Sequence, residues 1–140
     1  DTAGGVIDYA GSVIPYTPKY QLRLSADYKW TVGNAEPFIG AVYSVRSKAI
    51  ANIGGARGLV ITPDFRSSVP ASDTYTIDGY GLLDLRAGAS FNDGQWSVMV
   101  FGKNVLNKYY ASNVFTDYDT IARFAGQPAT YGVTISFKLQ

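Results

Sequence analysis

Residues 130–139 read Thr-Tyr-Gly-Val-Thr-Ile-Ser-Phe-Lys-Leu, and every second residue is large and apolar. Side chains of an extended chain point alternately to opposite faces, so a period of two defines a strand with one greasy side and one wet side. A helix would scatter the same residues around its axis. The pattern recurs over 20–32, where Leu22, Leu24, Ala26, Tyr28, Trp30 and Val32 stand against Arg23, Ser25, Asp27, Lys29 and Thr31. Over 37–49, Ile39, Ala41, Tyr43 and Val45 oppose Gly40, Ser44, Arg46 and Lys48, with Val42 out of pattern. Over 79–91, Leu83, Leu85, Ala87, Ala89 and Phe91 oppose Asp84, Arg86, Gly88 and Ser90.

A further strand is expected over 95–110, but consecutive Val98, Met99, Val100 and Phe101 put apolar groups on both faces and leave its register open. The connections differ in length. Gly33-Asn-Ala-Glu36 and Asn92-Asp-Gly-Gln95 are tight, the second with the Asp-Gly pair that favours hairpins. Segments 1–19, 50–78 and 111–127 are long and broken by Gly, Pro and Ser. Short turns at one end, long loops at the other and alternating strands describe an outer-membrane barrel. The expected fold class is therefore all-β, an antiparallel up-and-down meander of about five long strands within a transmembrane β-barrel, with the long segments as extracellular loops.

The 140 residues include no cysteine and no histidine, which removes disulfides, thiolate nucleophiles, imidazole bases and the common zinc and copper sites. No cofactor is expected and the chain reads as no enzyme. A net charge of +1 without a basic stripe gives no footprint for nucleic acid. The first residues lack the charged and apolar regions of a signal peptide, and no apolar run approaches the roughly 18 residues of a membrane helix.

Alternation alone does not say where the apolar face points, because a soluble sandwich or small ligand-binding barrel turns it inward. Strand length bears on the choice. Ten residues from Tyr20 to Trp30, at roughly 3.3 Å each and about 45° tilt, span on the order of 23 Å, close to the roughly 25 Å apolar band of such barrels. Those two rings then fall in opposite interfacial girdles, with Tyr109 and Tyr110 at the outer one and Trp96 near the inner one. Arg23, Asp27, Lys29, Arg46, Lys48, Asp84, Arg86 and Lys138 would line a wet lumen.

Two stretches carry a resemblance. Asn104-Val-Leu-Asn-Lys-Tyr-Tyr110 resembles the Asn-Leu-Phe-Asp-Lys-x-Tyr segment near the end of TonB-dependent receptors, and Gly126 to Leu139 resembles their closing Gly-x-Pro-Arg-Thr-Tyr-Gly strand. Ile14-Pro-Tyr-Thr-Pro-Lys-Tyr20 is similar to the Pro-x-x-Pro-Lys approach to a late strand of the same barrels. Ala129 departs from the family's Arg, and Leu139 followed by Gln140 departs from its terminal aromatic.

The resemblance implies residues 1–140 as one C-terminal barrel segment of a large, roughly 22-stranded barrel in the outer membrane of a Gram-negative bacterium. Its partners would be outer-membrane lipid, the remainder of the barrel and its plug domain, TonB through the N-terminal part, and a small-molecule nutrient such as a siderophore-iron complex, cobalamin or an oligosaccharide. Five strands cannot close even an eight-stranded barrel, so this segment needs neighbours.

Candidate ligand-binding residues lie in the long loops, where hydrogen-bonding and aromatic groups would face the barrel mouth. In the first interior loop they are Arg57, Asp64 and Arg66, with Asn52, Phe65 and Tyr75 beside them. In the second they are Asn113, Asp117, Tyr118, Asp119 and Arg123, with Phe115 and Phe124. A solvated loop folding over its own barrel accounts for the same residues. Asp117-Tyr-Asp119 also has the form of a carboxylate pair for glycoside hydrolysis or calcium, but two acids at this spacing are common in loops and no further acid supports them.

Overall fold

A computed structural model describes residues 13–51, 75–92, 94–117 and 120–138, and these divide into two compact units. The larger unit comprises 20–46, 79–110 and 126–140. Its strands are β1 (Gln21–Lys29), β2 (Ala35–Arg46), β5 (Tyr80–Phe91), β6 (Trp96–Lys103) and β9 (Thr130–Phe137). They form one antiparallel sheet in the order β1-β2-β5-β6-β9, a meander in which each strand pairs with the next long one.

The register converts the alternation of single strands into two continuous faces. Tyr28 pairs with Ile39, Ile39 with Ala87, Ala87 with Val100 and Val100 with Val133, so one row crossing five strands is wholly apolar. The next-but-one rows repeat this through Ala89, Val98 and Ile135, and through Phe91, Trp96 and Phe137. Trp96 and Phe137 rings lie 4.4 Å apart at one end of the sheet, near which Tyr28 stacks on Trp30 at 5.5 Å. This face is open: Leu24 is 57% exposed, Tyr131 68% and Ile135 67%.

The opposite face carries Arg23, Asp27, Lys29, Glu36, Asp84, Arg86 and Lys103 by the same register. Its two phenylalanines sit over glycines. Phe38 pairs with Gly88 and Phe101 with Gly132, and a methyl group on Gly132 would stand 2.5 Å from the Phe101 ring. Pairing settles the β6 ambiguity: Val98 and Val100 join the apolar rows, while Met99 and Phe101 belong with the polar face.

Strand bounds differ from the sequence reading in physically legible ways. The strand expected over 95–110 stops at Lys103, because Asn104 adopts φ 48° and starts a turn. The first strand ends at Lys29, not at Val32, which forms an isolated bridge to Ala35 around Gly33 at φ 59°. Leu139 and Gln140 lie outside the described residues.

The smaller unit is built from parts of the three segments expected to be loops. It contains the short pair β3 (Ala49–Ile50) and β4 (Thr76–Ile77) and a hairpin, β7 (Ala111–Asp117) with β8 (Thr120–Ala125). Ala51, Ile77 and Val114 meet in a small core, with Val114 1% and Ile77 0% exposed. The hairpin was illegible as a strand pair because Val114 and Phe115 are adjacent, which gives no one-sided alternation.

Candidate functional site

The β7–β8 hairpin holds the described part of the expected ligand-binding set. Its register pairs Asn113 with Phe124, Val114 with Arg123 and Phe115 with Ala122, and residues directly opposite in an antiparallel pair share a face. Asn113, Phe115 and Phe124 therefore stand on one side, and Val114 and Arg123 on the other. Phe115 and Phe124 stack with centroids 5.5 Å apart and remain 44% and 50% exposed. The Val114 side chain is buried in the small core.

The expected grouping of Asn113 with Arg123 is thus divided between faces. Asp117 lies at the hairpin tip, paired with Thr120. Tyr118, Asp119, Arg57, Asp64 and Arg66 fall outside the described residues, as do Asn52 and Phe65. Tyr75 is 9% exposed and its carbonyl accepts a hydrogen bond from Ala51 N at 2.8 Å. No group of three acids, histidines or cysteines able to hold a metal ion occurs among the described residues.

In the larger unit, Asn104 organises the turn after β6. It is 3% exposed, and both its side-chain nitrogen and its side-chain oxygen are hydrogen-bonded. Its amide donates to the carbonyls of Lys108 and Gln127, both at 3.0 Å, and its side-chain oxygen accepts from Lys108 N at 2.9 Å. Its own backbone N–H donates to the Asp84 carboxylate at 2.9 Å. Asn107, also left-handed at φ 47°, accepts from Ala129 N at 3.1 Å. Three separate stretches of chain are thereby fastened at one point.

Beside this knot, Gly126 N donates to the carbonyl of Tyr110 at 2.7 Å, and the Tyr110 ring lies against Gly126 so closely that no side chain fits there. Tyr110 packs on Tyr80 with centroids 4.2 Å apart, and the Arg46 guanidinium lies 5.9 Å above the Tyr80 ring. The sequence singled out Asn104–Tyr110 as a motif through its resemblance, and Tyr109 and Tyr110 separately as interfacial aromatics. The signal for a structural role was two asparagines three apart directly after a strand, a residue type that tolerates left-handed backbone.

Half-exposed Asp27 and Arg86 form an ion pair on the polar face, Arg86 Nη2 standing 2.6 Å from Asp27 Oδ1. No helix among the described residues is long and apolar enough to cross a membrane, which leaves crossing by strands untouched.

Comparison with known proteins bears on the same features. No curated protein sequence matches the chain. Among solved structures it is similar to the ferric yersiniabactin uptake receptor FyuA from Yersinia pestis, at 12% identity and a TM-score of 0.69. That match covers 89% of this chain and 17% of the receptor, so the chain spans about a sixth of the other's length, and at this identity the likeness is one of fold. The family model described as TonB dependent receptor-like, beta-barrel matches residues 1–105, three quarters of the 140 residues. The chain, with its five-stranded two-faced sheet, belongs to the TonB-dependent receptor-like β-barrel family.

Proposed function

We propose that this chain is a segment of an outer-membrane receptor that imports a scarce nutrient with energy from TonB. The observation that carries the reading is the sheet's division into one open apolar face and one charged face, row by row across five strands. Burial of apolar area favours an apolar medium by roughly 25 cal/mol per Å², so a continuous greasy face of this width belongs against hydrocarbon. The charged face then borders the lumen, where the plug domain of the family sits and where water or plug groups satisfy its charges. In this reading the β7–β8 hairpin lies at the extracellular mouth, and the protein binds and passes its ligand without chemical change.

Candidate ligands are siderophore-iron complexes, cobalamin and oligosaccharides. A ferric complex is placed first because the similar solved structure is a ferric yersiniabactin uptake receptor by its description.

The test is uptake by the full-length receptor expressed in the outer membrane of a Gram-negative host. Labelled ferric siderophore, cobalamin and oligosaccharide are offered with and without active TonB. TonB-dependent accumulation of one class supports the reading and names the substrate. A full-length protein recovered in a water-soluble compartment as a folded monomer would overturn it.

A further inference from the structure

Tyr16 occupies a backbone conformation that its side chain disfavours. The segment Ile14-Pro15-Tyr16-Thr17 is a turn closed by Thr17 N donating to the Ile14 carbonyl at 3.4 Å, with Tyr16 at φ 58°. Proline at the second position and positive φ at the third make a turn that suits Gly or Asn at that third place. Such strain persists where surrounding contacts over-determine it, and it collects at clamps and switches.

Hydrogen bonds to two distant segments help to hold the residue there. The backbone N–H of Tyr16 donates to the Ile50 carbonyl at 2.7 Å, and its hydroxyl donates to the Val114 carbonyl at 2.9 Å. Ile50 belongs to β3 and Val114 to β7, so one residue reaches two segments far away in sequence. Val114 also places its side chain in the core with Ile77 and Ala51, which fixes the side of the hairpin that faces inward.

We propose that Tyr16 is a positioning residue, a staple that couples the segment before β1 and the β3–β4 pair to the β7–β8 hairpin. The three surface segments then move as one body, and the hairpin's other face, with Asn113, Phe115 and Phe124, keeps a fixed presentation. A glycine in the turn would relax the backbone but provide no hydroxyl for Val114. The consequence for ligand capture rests on the receptor reading given above, whereas the coupling itself does not.

The test is amide hydrogen exchange on the full-length receptor, with no ligand added and with β5 amides as the internal reference. Tyr16→Phe removes the hydroxyl and keeps the ring. One lost hydrogen bond predicts exchange over 111–117 that is faster by roughly 2- to 10-fold, with β5 unchanged. Tyr16→Gly relieves the strained φ and keeps the backbone N–H for Ile50. It is expected to accelerate 111–117 likewise while leaving Ile50 and Ala51 protected.

A residue that merely stabilised its own turn would change exchange over 13–19 and nowhere else. Unchanged exchange over 111–117 in both variants overturns the staple, and so does a uniform rise that includes β5. Because no ligand enters the measurement, failure of nutrient uptake leaves this test intact.

Discussion

Arg86 reaches Asp27 across the full width of β2, through the space that Gly40 leaves open. The three residues lie in one register row, Asp27 opposite Gly40 and Gly40 opposite Arg86. Neighbouring strands are about 4.8 Å apart, so the two charged residues start about 10 Å from each other. Only the long arginine spans that gap, laying both Nε and Nη2 on Asp27 Oδ1 at 3.1 and 2.6 Å. A methyl group on Gly40 would lie 2.7 Å from Arg86 Nε and collide with the Asp27 carboxylate.

Gly40→Ala should therefore separate the pair while leaving the strands paired. Both side chains are about half exposed, so the pair itself is worth about 0.2–1 kcal/mol. The expected change is a loss of that size in urea unfolding of the lipid-embedded barrel, together with a flatter dependence on salt up to about 1 M, where screening acts over about 3 Å. An unchanged salt dependence would show that the pair adds nothing to the folded state.

Asn104 is expected to be far less tolerant. Asn104→Ala strips partners from two carbonyls and one N–H in a buried place, and it holds φ 48° without the short polar side chain by which asparagine tolerates left-handed backbone. Unmet buried polar groups cost about 1–3 kcal/mol, and alanine bears more than asparagine of the about 1–2 kcal/mol that left-handed backbone costs an L residue, a cost glycine escapes. Asn104→Gly keeps the backbone freedom and loses only the hydrogen bonds. Unfolding should rank wild type above Asn104→Gly above Asn104→Ala. Equal losses would mean that the left-handed turn carries no cost of its own.

The long strands were legible because one-sided alternation survives in the sequence wherever a strand carries one apolar and one polar face. That held for β1, β5 and β9, and it failed for β6, where Phe101 on the polar face is accommodated by Gly132 on another strand. No local pattern reports such a long-range fit. The β7–β8 hairpin escaped for the converse reason: Val114 packs into a small core of its own while Phe115 next to it stays exposed, so neither face reads as apolar throughout. Tyr16 was hidden too, since its partners are the Ile50 and Val114 carbonyls, which any residue provides.

The orientation of the sheet is open to a paired substitution. If Leu24 faces hydrocarbon near mid-depth, Leu24→Arg should cost about 2–4 kcal/mol, and Ser25→Arg on the charged face should cost little. A packed soluble core would also reject arginine, so Leu24→Trp separates the cases. Lipid admits the larger ring, whereas a filled core would be strained by about 1–3 kcal/mol. Folding of the three variants into vesicles, followed by gel mobility and, for Leu24→Trp, tryptophan emission, reads these outcomes, and strong destabilisation by Leu24→Trp would count against the lipid-facing assignment.

The division of the hairpin into two faces predicts opposite phenotypes for residues that the sequence grouped together. Phe124 and Phe115 form an exposed ring pair with Asn113 on the same side, while Arg123 shares its face with buried Val114. In the full-length receptor, Phe124→Ala and Asn113→Ala should weaken ligand binding by several-fold to about tenfold, roughly the 1 kcal/mol that a stacking or hydrogen-bonding contact contributes, with unfolding unaffected. Arg123→Ala should instead act on the hairpin, raising amide exchange over 120–125 and altering affinity only as far as the exposed face shifts. Titration of each variant with the transported nutrient, alongside exchange on the unliganded protein, separates the two modes. If Arg123→Ala abolishes binding without loosening the hairpin, the ligand approaches from the Val114 side and the face assignment is reversed.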